Sequence, residues 1–157
     1  MVSLAGKVAL ITGAGRPGGL GEAIARRFAR AGAHVVITDL RSAPGGHMSA
    51  DNVGSLDGLN GVAEGIRRNA EQDGIEAGLT LLACDVRREA DVAAVIERII
   101  REFGRLDIAV NNAGVGFISK PLVDMTGDEW DLVLDVNLRG PFFVTKHAGK
   151  AMIDAIA

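Results

Sequence analysis

Tyrosine is absent from the 157 residues, and aromatic side chains of every kind make up only 4% of them. No phenol hydroxyl can therefore pass a proton in any chemistry these residues perform. Cysteine is nearly absent too: the lone Cys84 excludes an internal disulfide. Three histidines, His34, His47 and His147, lie far apart without an H-x-x-x-H pair, so no metal site is expected. Positive charge is not in excess, with 17 basic against 20 acidic residues, a net charge of -3, and the two signs interspersed. A polyanion partner such as nucleic acid is thereby disfavoured. No segment approaches the roughly 18 apolar residues of a membrane span, and the start MVSLAGKVALITG lacks the basic and cleavage regions of a secretory leader. The composition reads as a cytoplasmic protein with no membrane contact.

What is present is a chain that is 48% hydrophobic and 24% charged, in the range of one globular domain spanning 1–157. A domain of this size hides about 68–70% of its unfolded surface, enough to stand without staples.

Strand and helix signals alternate, which favours a parallel sheet covered on both faces. Val8-Ala9-Leu10-Ile11 is an apolar run without alternation, as a buried parallel strand requires. A helix is expected over Ala23 to Ala31, stopped by Gly32, then a strand Val35 to Thr38 that ends at Asp39. Residues 41–60 are rich in Gly, Ser, Asp and Asn and read as an exposed insertion. A helix around Val62 to Gln72, a strand Leu79 to Ala83, an amphipathic helix Asp91 to Phe103 closed by Gly104, and a strand Leu106 to Val110 follow. In the helix Asp91 to Phe103, Val92, Val95, Ile96, Ile99 and Phe103 form one stripe of period 3.6. Thr126-Gly127-Asp128-Glu129 has the capping-box form, and a last helix is expected from about Asn137 to the C-terminus.

Chemistry in such sheets sits where strands end and helices begin. The first such place is TGAGRPGGLG, Thr12 to Gly21. Glycine permits positive backbone angles and lets amides approach phosphate oxygens closely, with a helix N-terminus facing a pyrophosphate. Gly13, Gly15 and Gly18 match G-x-G-x-x-G literally, but Gly13, Gly19 and Gly21 suit the strand-to-helix geometry better. A glycine-rich turn without a ligand is the alternative. Asp39, eighteen residues past Gly21, adds a carboxylate placed to accept hydrogen bonds from an adenosine ribose. Its charge favours NAD over NADP, whose 2'-phosphate it would repel, although Arg16 or Arg41 could offset part of that. Cys84, beside Asp85, is expected to pack rather than react, and Ser119 and Trp130 are candidates for a substrate cleft or simple packing.

Asn111-Asn112-Ala113-Gly114 after LDIAV, together with TGAGRPGGLG, resembles the short-chain dehydrogenase/reductase family. Asp85-Val86 resembles the pair that cradles the adenine ring, and Asp135-Val136-Asn137-Leu138-Arg139-Gly140 the segment carrying the family's helix-borne asparagine. The resemblance implies an α/β fold of Rossmann type, a doubly wound parallel sheet with helices on both faces, incomplete at its C-terminal end. It implies a cofactor site at Gly13, Gly15, Arg16, Gly19, Leu20, Gly21, Asp39, Leu40, Asp85, Val86, Asn112, Ala113 and Gly114, with NAD the favoured cofactor and NADP the lesser one. The implied activity is hydride transfer between nicotinamide and a secondary alcohol or ketone, with Asn137 a catalytic residue.

Two departures accompany the resemblance. The family's serine and Tyr-x-x-x-Lys have no match, and Lys146, His147 and Lys150 read as solvated or interface residues rather than substitutes. The glycine loop is two residues longer than the family's spacing. The chain then reads as the N-terminal part of a longer oxidoreductase that pairs with itself through its last helix. A non-catalytic nucleotide-binding or interaction module is the alternative, and a methyl-donor enzyme is made poor by the NNAG segment.

Overall fold

The computed structural model describes residues 3–43, 45–46, 48, 53–117 and 120–156. His47 and Ser119, and parts of the segment 41–60, lie outside these described residues. Four parallel strands form one sheet in the order β3-β2-β1-β4: β1 (Val8–Thr12), β2 (His34–Asp39), β3 (Leu79–Ala83) and β4 (Ile108–Val110). β1 is buried at every position because helices cover both of its faces, which is why its sequence does not alternate.

One face carries α1 (Leu20–Arg30) and α2 (Leu56–Gln72), whose Ala25, Ala29, Leu59, Val62, Ala63 and Ile66 pack on Ile11, Val35 and Ile37. The other carries α3 (Glu89–Phe103) and α5 (Gly140–Asp154), whose Val92, Ile96, Ile99, Val144 and Ala148 pack on Leu10, Val36 and Leu82. Between β4 and α5 run a short 3-10 turn Leu122–Asp124, α4 (Gly127–Leu134) and a π-helical turn Asp135–Arg139. The sheet is thus doubly wound and Rossmann-like, as a partial fold.

Local signals explain most boundaries. α1 closes at Gly32 and α3 at Gly104, both at positive φ that a side chain would strain. Thr126 and Glu129 form the reciprocal capping box, with the Thr126 amide donating to Glu129 Oε2 at 2.7 Å. Lys120 lies 2.6 Å from the same oxygen, and these partners hold the Glu129 carboxyl down at about 2.

Three expectations are corrected. α1 begins at Leu20, three residues before Ala23, because Gly19 serves as its extended N-cap and Gly21 already lies in the helix. The last helix does not run on regularly from Asn137: that residue sits in the π turn, and the α-helix proper starts at Gly140. The segment 41–60 is not an exposed insertion throughout. Met48 belongs to the core, and α2 starts at Leu56, capped by Ser55, with Leu59 wholly buried. Its abundance of polar residues and glycines masks a stripe, Leu59, Val62, Ala63 and Ile66, that pins the helix to the sheet.

Leu59→Ala should therefore cost about 2–5 kcal/mol of stability, the range for deleting a buried leucine side chain. Urea unfolding followed by far-UV circular dichroism measures it, and a loss under about 0.5 kcal/mol, typical of a surface substitution, would mean that this part of the segment is not anchored.

Candidate functional site

The C-terminal ends of β1 and β4 are knotted by side chains. Asn112 donates its amide to the carbonyls of Thr12 and Gly13, at 2.9 and 2.8 Å. The Thr12 hydroxyl donates to the Val110 carbonyl and accepts from the amides of Asn112 and Ala113, both at 3.2 Å. The Thr12 hydroxyl and the Asn112 amide nitrogen are thus both hydrogen-bonded within the junction. The contact needs glycine on both sides: a Cβ on Gly13 would overlap Ala113, and one on Gly21 would lie 2.7 Å from Asn112 Nδ2.

From this knot the loop Gly13 to Gly19 swings into α1. Gly13 and Gly18 adopt positive φ, and Gly19 folds back to the Arg16 carbonyl at 3.1 Å. Glu22, buried in the first turn of α1, accepts from the Gly18 amide at 2.6 Å and pairs with Arg26. The carboxylate thus steadies the lengthened loop from behind, at the helix end where a negative charge is favoured.

Asp39 closes β2 at only 7% exposure. Its Oδ2 accepts from the Gly15 amide at 2.7 Å and its Oδ1 from the Leu40 amide at 2.8 Å. Burial pushes its carboxyl above the usual carboxylate value, and the two amides offset part of that rise. Asp85 is also partly buried, but the Arg87 guanidinium grips both of its oxygens and outweighs burial, so its net shift is downward.

These strand ends surround a cavity of about 200 Å³. Gly13, Arg16, Gly19, Leu20, Gly21, Asp39, Leu40, Asp85, Val86, Asn112, Ala113 and Gly114 all line it, so the fold gathers in one place residues up to a hundred positions apart in sequence. Gly15 lies just behind, through its bond to Asp39. Asn137 stands outside the lining and holds both backbone groups of Val115, at 2.9 and 2.8 Å, and Val115 is in the lining. Lys146 and His147 are tied to Glu89 and Lys150 to Asp154, away from the cavity. Trp130 is half-exposed in a shallow patch with Leu122, Met125 and Gly127. Among the described residues no group of His, Cys, Asp and Glu could hold a metal ion, and no helix is long and apolar enough to cross a membrane.

Sequence reasoning missed Met48, Val53 and Gly54, which form one wall of the cavity, and Val136. The readable signal was Ser55 followed by the stripe from Leu59, which marks a helix start at Leu56 and hence a return of the chain toward β2.

A family model described as enoyl-(acyl carrier protein) reductase matches residues 13–155. D-threitol dehydrogenase of Mycolicibacterium smegmatis is 37% identical over 97% of this chain and 50% of its own length. A metagenomic short-chain oxidoreductase solved in complex with NADP superposes with a TM-score of 0.77 at 34% identity, over 96% of this chain and 58% of that one. Levodione reductase gives a TM-score of 0.79 at 31% identity, over 96% of this chain and 50% of that one. The chain belongs to the short-chain dehydrogenase/reductase family. It spans about half the length of the relatives it matches.

Cys84 borders the cavity, and burial, followed by the charges of Asp91, Asp85 and Asp39, pushes its thiol up to about 12. At pH 8 the thiol therefore stays protonated, and the thiolate is the reactive form. The folded chain should therefore react with a disulfide reagent far more slowly than the same chain in urea. Rapid stoichiometric labelling of the folded chain at pH 8 would contradict this environment.

Proposed function

We propose that this chain holds the dinucleotide of a short-chain dehydrogenase/reductase, NAD in preference to NADP, and that the whole protein transfers hydride between nicotinamide and the carbon of a secondary alcohol or ketone. The observation that carries the reading is the meeting, in one cavity beyond the strand ends, of the α1 N-terminus, the glycine loop and the buried Asp39 carboxylate.

In this reading the free amides at the start of α1, near Leu20 and Gly21, and the cation of Arg16 hold the pyrophosphate. Asp39 has lone pairs left after its two amide bonds, and these accept the adenosine ribose hydroxyls. Leu40, Asp85 and Val86 flank the adenine, and Asn112, Ala113 and Gly114 face the remainder of the cofactor. When bound, the cofactor supplies the hydride chemistry, and the protein supplies binding, orientation and proton traffic. Asn137 serves that traffic by fixing the chain after β4 at Val115. With no tyrosine among them, these 157 residues bind the cofactor without completing turnover on their own. The acidic net charge and the single buried cysteine are in keeping with a cytoplasmic protein.

NADP is the second reading, supported by the NADP complex of the metagenomic relative and by Arg41, Ser42 and Arg87 in a groove that adjoins the cavity at Leu40, Cys84 and Asp85. A calorimetric titration with NADH and NADPH, run beside an alcohol-oxidation assay, tests the proposal. NADH should bind more tightly than NADPH, without turnover, and Asp39→Ala should weaken NADH by about tenfold or more, the loss expected when hydrogen bonds to a charged group are removed. Binding of neither nucleotide would refute the reading.

Self-association through the C-terminal helix belongs to the same proposal, because Phe142 and Ile153 on it, and Leu138 in the turn before it, are exposed at 59%, 69% and 66%. Sedimentation velocity should show a concentration-dependent dimer; a monomer at every concentration would exclude it.

A further inference from the structure

Gly15 and Gly54 meet around Asp39 and Gly58 lies against Gly15, each placed where a side chain would not fit. A Cβ on Gly54 would overlap the Asp39 carboxyl. One on Gly15 would lie 2.6 Å from the Ser55 carbonyl and 3.0 Å from Asp39 Oδ2, and one on Gly58 would overlap the Gly15 carbonyl. The start of α2 is thereby pressed against both the glycine loop and the end of β2. Ser55 fixes its direction by capping α2 through the Gly58 amide at 3.1 Å. Val53 and Gly54 face the cavity, with Met48 beside them, so among the described residues this wall is backbone and apolar surface with no cation in it. It leaves Asp39 7% exposed at a strand end, where a carboxylate is ordinarily open to solvent.

Resting on the dinucleotide reading above, we propose that the segment Val53 to Ser55 is a specificity wall and that Gly54 is a specificity-determining residue. By closing the space beside Asp39, Gly54 lets the site take a ribose with a free 2'-hydroxyl and excludes a 2'-phosphate by shape. The shape acts in addition to the repulsion from the Asp39 charge. A hydroxyl donates to the carboxylate within the existing space. A phosphate adds nearly two negative charges and three oxygens, and has to displace backbone that is itself locked to Gly15.

The two contributions separate by substitution. Binding of NADH and NADPH is measured by calorimetry for the chain, for Asp39→Asn and for Gly54→Ala. The unaltered chain should bind NADPH about a hundredfold more weakly than NADH, and Asp39→Asn, which removes the charge, keeps the side chain's size and gives up one of its two amide bonds, should keep at least about tenfold of that difference. Gly54→Ala, which pushes the wall off Asp39, should narrow the ratio by about tenfold while the charge remains. Equal affinities in Asp39→Asn would overturn the proposal, since charge alone would then account for selection, and that arm decides the matter even if Gly54→Ala fails to fold. An unchanged ratio in a folded Gly54→Ala, or equal affinities in the unaltered chain, would overturn it while leaving the dinucleotide reading standing. Binding of neither nucleotide to the unaltered chain would instead remove that reading and the proposal with it.

Discussion

β1 and β4 pair in parallel as far as Ile11 and Val110, and just beyond that ladder the Asn112 amide ties the two strand ends together. Asn112 bonds the carbonyls of Thr12 and Gly13, while the Thr12 hydroxyl returns three bonds to the β4 side. Each buried polar atom left unpaired there would cost about 1–3 kcal/mol, so the junction is stable only when complete. Its geometry places the first glycine of the loop against Ala113 and the first turn of α1 against Asn112. The direction in which α1 points its free amides follows from that contact, and so does the floor of the cavity.

The walls are built on the same economy of side chains. Gly15 and Gly54 let two stretches of backbone approach Asp39, Gly58 lets the start of α2 approach Gly15, and Gly140 lets the start of α5 approach Val86, where a Cβ would lie 2.9 Å from a methyl group. Polar side chains then fix what glycine leaves loose. Glu22 anchors the Gly18 amide, Arg87 holds the Asp85 carboxylate, and Asn137 spans the backbone of Val115. A loop longer than the family's spacing is tolerated because its added length lies on the surface, where closure entropy grows slowly, and because Glu22 restrains it.

Much of this was legible in the sequence. β3 spans Leu79–Ala83 as its apolar run implies, α3 ends where Gly104 stops it, and the capping box at Thr126 opens α4. The residues gathered in the cavity from the glycine loop and Asp39 are those that motif and spacing pick out, and Asp85-Val86 and Asn112 to Gly114 those that the family resemblance implies. What was hidden has a common cause. The wall at Met48, Val53 and Gly54 arises from tertiary contact with Asp39, which leaves no local period behind it. The ladder of β4 begins only at Ile108 although Leu106 is buried, because burial and strand pairing are separate conditions. The π turn at Asp135–Arg139 follows from one extra residue per turn, which composition does not announce.

Membership of the short-chain dehydrogenase/reductase family and a cavity at the strand ends lead to one central claim: three glycine-dependent segments act together as a dinucleotide site. Hydrogen exchange of the chain with and without NADH tests this most directly. The account predicts that NADH slows exchange jointly at Gly13 to Glu22, at Gly54 to Gly58 and at Asn112 to Val115. Slowing confined to a different surface, or none at nucleotide concentrations that saturate relatives of this family, would contradict it.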